Sequence, residues 1–444
     1  MTLMVGVSGI RGLVGDTLTP ELVLQFAQAY GTLLDGGRVV LARDSRPSGP
    51  LYASAACAGL LAAGCQVTDL GVVMTPTVGR AIRTGAYDGG VCITASHNPA
   101  PWNGVKFLNK LGVAPDPAQA ARIARLRADG PLRHVKTGFH QPQRDDGAGP
   151  EHVRAVLDAV EVDTGQLRDL KVVLDSVNGA GCRHSPALLE GFGCRVVHLN
   201  GEPTGDFAHP PEPLRENLGQ LCQLVHAEHA AVGFAQDPDA DRLAIVDENG
   251  TYIGEEYTLA LAVQSVLSRR PGPVAANLST SRMIDDIASR HGVTVVRTPV
   301  GEANVANEVL AHGCVIGGEG NGGVIDPRIC LVRDSLSAMS LVLQLMAATG
   351  QPLSRLVADL PRYASVKQKF ECPRERIDAA VAAVTGAYSD HSPNTADGVR
   401  VDLPEGWIHL RASNTEPIVR IIAEARDTPT AEGLIARVRE AARL

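Results

Sequence analysis

The sequence predicts an α/β protein: three similar α/β domains with mixed sheets around a central cleft, followed by a smaller C-terminal α+β domain. Three observations predict it. Segments 38–71, 170–200 and 273–299 each read as strand, helix, glycine helix stop and strand, a βαβ pattern. Each is followed by another short apolar strand (89–93, 230–235 and 313–317) that ends in a polar loop. After about residue 365 the pattern changes. Strands at 363–371, 398–402, 407–411 and 418–425, with helices at 374–386 and 430–443, read as a small antiparallel domain. The expected divisions are 1–150, 151–250, 251–364 and 365–444, with Gly147-Ala-Gly-Pro150 at the first of them and Asp247-Glu-Asn-Gly250 as a hairpin turn.

In the first unit, the apolar run Val91-Cys92-Ile93 stops at Thr94-Ala-Ser-His-Asn-Pro99, where the proline forbids the strand from continuing. A buried strand thus delivers the Ser96 hydroxyl to its carboxyl end, where open α/β sheets keep their chemistry. Ser96 is a candidate nucleophile or phosphate carrier, set against the plainer reading of a turn-capping serine. His97 shapes the same loop.

The second unit ends in Asp237-Pro-Asp-Ala-Asp-Arg242. Three carboxylates at i, i+2 and i+4 suit a hard divalent cation, because each like-charged pair about 4 Å apart costs on the order of 4 kcal/mol at an effective dielectric near 20. Arg242 offsets one of these charges. Glu248 falls at the twelfth position of a calcium loop, but Arg242 stands where that loop needs glycine, and the flanks read as strands.

The third unit ends in Gly317-Gly-Glu-Gly-Asn-Gly-Gly323. Such a loop brings backbone close to a ligand, and Glu319 and Asn321 can read sugar hydroxyls. It lacks the basic residues of a phosphate cradle. In the last domain, Arg411-Ala-Ser-Asn-Thr-Glu-Pro417 supplies a charged fork and the neutral donors Ser413, Asn414 and Thr415, a set that anchors a phosphate dianion, with Arg420 adding charge. Arg11, Arg43 and Lys106 complete the basic residues of the expected site. A serine, a carboxylate cluster, a hydroxyl reader and a separate phosphate anchor together imply phosphoryl transfer on a phosphorylated polyol.

The bulk properties are compatible with this and exclude much else. The 444 residues are 44% hydrophobic and 20% charged, which excludes a largely disordered chain. A net charge of −8 without a dense Lys/Arg tract favours neither nucleic acid nor an anionic membrane. The start of the chain lacks the pattern of a signal peptide, and nine cysteines without a Cys-x-x-Cys pair read as buried free thiols of a cytoplasmic protein, monomer or homodimer.

The four motifs, in this order and over the full chain, resemble the α-D-phosphohexomutase superfamily: Thr94-Ala-Ser-His-Asn-Pro99, Asp237-Pro-Asp-Ala-Asp-Arg242, Gly318-Glu-Gly-Asn-Gly-Gly323 and Arg411-Ala-Ser-Asn-Thr-Glu-Pro417. The resemblance implies interconversion of hexose 6-phosphate and hexose 1-phosphate through a phosphoserine at Ser96, with hexose 1,6-bisphosphate as intermediate and activator. It implies that Asp237, Asp239 and Asp241, with Ser96, hold Mg²⁺. It places Arg11, Lys106 and His97 at the transferring group, with Lys106 assisting proton transfer. Arg242, Glu302, Glu319, Asn321, Arg411, Ser413, Asn414, Thr415 and Arg420 are the implied substrate contacts.

The chain departs from the commoner form, which reads Gly-Glu-x-Ser-Gly-His. Asn321 stands in place of the serine and Gly323 in place of the histidine, so a general base at that histidine does not carry over. Glu302 follows Val300-Gly301, where His or Tyr is common. The Gly-Glu-Gly-Asn-Gly-Gly form is similar to a subgroup assigned as phosphoglucosamine mutases or as broad phosphoglucomutase/phosphomannomutases. A Glu302 that pairs with an amino-sugar ammonium favours glucosamine phosphate. The alternatives are a phosphoglucomutase/phosphomannomutase, a non-catalytic phosphosugar-binding relative, and a phosphoserine-dependent phosphatase, which the Arg411 anchor disfavours.

Overall fold

Among the described residues up to 144 there are seven strands: β1 (Met4–Gly6), β2 (Gly9–Leu13), β3 (Arg38–Arg43), β4 (Gln66–Val72), β5 (Gly89–Ile93), β6 (Trp102–Asn109) and β7 (Gln143–Arg144). They form one sheet in the order β1-β2-β6-β5-β3-β4-β7. A second sheet, β11-β10-β8-β9, uses β8 (Lys171–Asp175), β9 (Arg195–Leu199), β10 (Val232–Gln236) and β11 (Leu243–Asp247). A third, β13-β12-β14-β15, uses β12 (Val274–Asn277), β13 (Val295–Thr298), β14 (Ile316–Glu319) and β15 (Gly323–Ile325). The fourth joins β16 (Ala364–Glu371), β17 (Val399–Leu403), β18 (Gly406–Ala412) and β19 (Ile418–Ala425) in the antiparallel order β16-β19-β18-β17. The computed structural model describes residues 3–412 and 418–444, so Ser413, Asn414 and Thr415 lie outside the described residues.

The first three sheets share one topological unit. In each, three parallel strands are closed by one antiparallel strand: β4-β3-β5 with β6, β9-β8-β10 with β11, and β13-β12-β14 with β15. The site loops occupy equivalent places, each turning the third strand of a unit into its antiparallel neighbour. The delivering strands β5, β10 and β14 are buried along their whole length, as expected of sheets covered by helices on both faces.

One apolar cluster runs through these three units, so they frame the site as packed neighbours. The helix Ser335–Thr349 lies in this cluster and packs on the helices Glu255–Leu267 and Ala148–Ala159. It is apolar nearly all round, as befits a buried helix, and Asp334 caps it by accepting from the Leu336 and Ser337 amides at 3.0 Å each. The last sheet has its own core, closed by the helix Thr428–Ala442. Residues 147–150, read from the sequence as a boundary, open the helix Ala148–Ala159, whose first turn accommodates Pro150. Asp247 to Gly250 is a turn, the Gly250 amide donating to the Asp247 carbonyl at 2.9 Å. Among the described residues no helix is long and apolar enough to cross a membrane, and the nine cysteines are free thiols, all but Cys57 and Cys222 buried.

Candidate active site

The Ser96 loop is held by a network the local sequence does not announce. Arg46 is fully buried, and its Nε donates to Asp44 at 3.0 Å. Its Nη1 donates to the Pro99 and Trp102 carbonyls at 3.0 Å, and its Nη2 to the Ser96 and Asn98 carbonyls at 2.7 Å. One guanidinium thus gathers four carbonyls of a single loop. Ser96 sits in the left-handed region at φ +50°, a strained conformation for a residue with a Cβ. Its Oγ donates to Asp237 Oδ2 at 3.0 Å and lies 3.3 Å from His97 Nδ1. Burial, then Arg242 and Arg11, push the His97 imidazole down to about 3, so it is neutral beside the serine. Arg11 borders the same loop, donating to Asn98 Oδ1 at 3.1 Å. Arg43 lies elsewhere: it donates to the Asp44 carbonyl and stands near Asp69 and Arg144, so the arginine that serves the loop is Arg46. Arg46→Ala leaves Asp44 as an uncompensated buried charge, and its expected cost is about 3–5 kcal/mol of stability. The urea midpoint of the variant measures this; a midpoint equal to that of a surface-arginine control would contradict the assignment.

The loop between β10 and β11 buries Asp237, Asp239 and Asp241 completely, with one ligand oxygen from each lying within 4.8 Å of the others. Basic partners orient two of them. Lys106 Nζ donates to Asp239 Oδ2 at 2.5 Å and to Asp241 Oδ2 at 3.3 Å, while Arg333 Nη2 donates to Asp241 Oδ2 at 2.7 Å. Thr75 Oγ1 adds a bond to Asp239 Oδ2 at 2.7 Å. The opposite oxygens, Asp239 Oδ1 and Asp241 Oδ1, are buried and have no hydrogen-bond partner among the described residues, with Arg242 Nε 3.9 Å from Asp241 Oδ1. Burial, then Asp241 and Asp239, push the Asp237 carboxyl well above its ordinary range. Against burial, Asp239 and Asp241 hold the Lys106 ammonium above its usual value. Three adjacent carboxylates with two oxygens left over form a donor set that fits a hard divalent cation.

The sugar loop is fastened at Glu319. Its Oε1 accepts from Asn277 Nδ2 at 2.8 Å and from the Gly301 amide at 3.2 Å, and its Oε2 accepts from Arg333 Nη1 at 2.6 Å. Glu302 is held by Arg333. Its Oε2 accepts from the Arg333 backbone amide at 3.1 Å and from Arg333 Nε at 3.0 Å, so the carboxylate read as an ammonium partner has a cation of its own. The glycine at 323 also has a physical reason: a Cβ there would lie 2.1 Å from Arg333 Cδ.

A cleft of about 480 Å³ joins these parts, lined by His97, Arg242, Glu319, Asn321, Arg411 and Arg420 together with lysines of β16. Within the last sheet Lys369 is directly opposite Arg420, and Arg420 is directly opposite Arg411. Three like charges in a row across neighbouring strands repel one another, which suits an anion site. Asp397 relieves one of them, accepting from Arg411 Nε at 3.1 Å. Seven buried side-chain polar atoms lack a hydrogen-bond partner among the described residues. Five of them, on Asp239, Asp241, Arg242, Asn321 and Arg420, belong to this cleft and the metal loop beside it. That concentration marks the place where a polar ligand is bound.

The comparisons with known proteins agree with this geometry. The family descriptions "Phosphoglucomutase/phosphomannomutase, alpha/beta/alpha domain" I, II and III match residues 2–131, 150–250 and 254–363, and the C-terminal domain of the same family matches residues 367–441. The chain belongs to the phosphoglucomutase/phosphomannomutase family. The resemblance to α-D-phosphohexomutases is thereby confirmed, and the family's activity makes this protein an isomerase of the phosphohexomutase class. It is 41% identical over 436 residues to a Methanopyrus kandleri protein named "Probable phosphoglucosamine mutase", covering 97% of this chain and 95% of that one. It is 38% identical over 435 residues to a Thermococcus kodakarensis "Phosphoglucomutase/phosphomannomutase", covering 96% and 95% of the two chains. A crystal structure of a family protein from Burkholderia thailandensis superposes with a TM-score of 0.87 at 26% identity, covering 98% of this chain and 97% of that one. Within this family frame, the residues that sequence reasoning missed are Arg46, Thr75, Arg333 and Lys369. Their partners are distant in sequence, and the one available signal was Arg333-Asp334 standing immediately before a long apolar helix.

Proposed function

We propose that the protein interconverts hexose 6-phosphate and hexose 1-phosphate, with Ser96 as the phosphoryl carrier and glucosamine phosphates as preferred substrates. The observation that carries this reading is the separation of two anion-handling regions by one cleft. On one side the Ser96 hydroxyl meets the aspartate loop at 3.0 Å, and on the other stands the Lys369, Arg420 and Arg411 row. A phosphatase needs no second phosphate site, whereas an enzyme that serves both ends of a sugar does.

The sugar's 1-hydroxyl attacks phosphorus on phosphorylated Ser96. A new O–P bond forms as the bond to Ser96 Oγ breaks, and the hydroxyl proton ends on Oγ. Lys106, beside the aspartates, assists that exchange, and Arg11 lends positive charge. The hexose 1,6-bisphosphate then turns round, and its 6-phosphoryl group returns to Ser96 by the same step in reverse. Mg²⁺, held by Asp237, Asp239 and Asp241 with Ser96, would neutralise charge on the transferring phosphoryl group. Glu319 and Asn321 read hydroxyls, while Arg411, Arg420 and Lys369 hold the idle phosphate.

The amino-sugar preference is supported by the name of the Methanopyrus relative. The Thermococcus relative's name favours a second reading, in which glucose and mannose phosphates are the substrates. Phosphorus NMR of the phosphorylated protein with Mg²⁺ decides between them. Glucosamine, glucose and mannose 6-phosphates are supplied separately, each with a trace of its bisphosphate. The expected result is a new 1-phosphate signal that grows at least about tenfold faster for glucosamine. Equal or faster growth with a neutral sugar transfers the assignment to the second reading.

A further inference from the structure

We propose that Arg333 is a positioning residue that fixes the sugar-reading carboxylate Glu319 against the metal loop, and that its side chain is what requires glycine at position 323. The inference rests on the phosphohexomutase reading given above.

One guanidinium engages three carboxylates from three separate segments. Nη2 donates to Asp241 in the β10–β11 loop at 2.7 Å, Nη1 to Glu319 at the end of β14 at 2.6 Å, and Nε to Glu302 at 3.0 Å. The planar fork of arginine allows this; a lysine ammonium, as one point charge, does not span the same three partners. The fork is aimed by rigid structure. The next residue, Asp334, donates its amide to the Val324 carbonyl at 2.8 Å and caps the buried helix Ser335–Thr349. Ser335 Oγ donates to the Ala240 carbonyl of the metal loop at 2.7 Å.

Glu319 is gripped from two sides, by Arg333 on Oε2 and by Asn277 and the Gly301 amide on Oε1, and it lines the cleft. Arg333 is not among the residues lining the cleft, so it acts through Glu319. Gly323 lies in β15 outside the left-handed region, yet the three nearest atoms to a Cβ built on it all belong to Arg333, at 2.1, 2.8 and 3.2 Å. A larger residue at position 323 therefore meets the Arg333 side chain and must displace it.

Two variants test this from opposite directions. Arg333→Lys keeps the charge and loses the fork. Gly323→Ala keeps the arginine and pushes its stem aside. Calorimetric titration of the dephosphorylated full chain with glucosamine, glucose and mannose 6-phosphates, and separately with Mn²⁺, gives two affinities for each protein. Both variants are expected to bind the sugar phosphate at least about tenfold more weakly while holding Mn²⁺ within about threefold of the wild type. The split is the signature, because the cation on Asp241 opposes metal binding and its displacement gives no electrostatic reason for a weaker metal site. Sugar affinity within about threefold of wild type in Gly323→Ala, or equal losses of sugar and metal, would overturn the proposal. If Arg333→Lys does not fold, Gly323→Ala alone carries the test. A wild-type protein that binds none of the three sugars would instead refute the functional reading, before either variant is compared.

Discussion

Ser96→Ala is expected to lower turnover by at least about 10⁴-fold while leaving phosphosugar affinity within a few-fold of wild type. The size of the loss follows from the absence of a substitute. The Thr75 hydroxyl, which bonds an aspartate of the same cluster, is spent on Asp239 Oδ2 at 2.7 Å. The survival of binding follows from the layout, since the Lys369, Arg420 and Arg411 row and Glu319 belong to other sheets. The fold should tolerate the change. Alanine carries the same Cβ as serine and so shares its strain at φ +50°, and the loop stays fastened by Arg46 through backbone carbonyls that the substitution does not touch. Steady-state turnover together with sugar titration checks this prediction. A variant within about tenfold of wild-type turnover would remove Ser96 from the chemistry.

Removal of divalent cations is the second large effect. Three buried carboxylates face Lys106, Arg333 and, 3.9 Å from Asp241 Oδ1, Arg242, and each carboxylate pair repels by on the order of 3–4 kcal/mol at an effective dielectric near 20. A divalent ion held by Asp237, Asp239 and Asp241 would relieve that repulsion, and Asp239 Oδ1 and Asp241 Oδ1 have no hydrogen bond of their own to give up. Chelation is therefore expected to cost about 10³-fold in turnover, the equivalent of several kcal/mol of lost charge stabilisation, and Mg²⁺ should restore it. The same ion should stabilise the fold independently of any assay, by about 2.7 kcal/mol when present at a hundred times its dissociation constant. Thermal unfolding with and without Mg²⁺ reads that second effect. An unfolding temperature indifferent to Mg²⁺, with turnover untouched by chelation, would contradict a metal role for the aspartate loop.

The sequence carried the strand pattern well because each element declares itself locally. Apolar runs at 38–45, 170–178 and 273–280, each with a glycine stop downstream, became β3, β8 and β12. Ser96 and the three aspartates were legible because a short polar loop after a buried strand is unusual enough to notice. The antiparallel strand that closes each unit was harder to see, since β6, β11 and β15 are defined by what they pair with. Arg46 was passed over for Arg43, three residues away. Both sit among small and polar residues, and only the folded chain shows that Arg46 reaches the carbonyls of residues 96 to 102, some 50 residues on. Arg333 was missed for the same reason, with partners 14, 31 and 92 residues away. Glu302 was read by its charge and became an ammonium partner. Burial and Arg333 decide its role, and neither is a property of the segment that contains it. Lys369 joined the phosphate side only through cross-strand register with Arg420.

The central claim is that a phosphoryl group travels by way of Ser96. Intact-mass measurement, followed by peptide mapping, tests it most directly after the protein is incubated with Mg²⁺ and a hexose 1,6-bisphosphate. The predicted result is the mass of one phosphoryl group, located on Ser96, which disappears when hexose 6-phosphate is added and bisphosphate forms in equal amount. Isomerisation by a protein that never carries phosphate on Ser96 would contradict it.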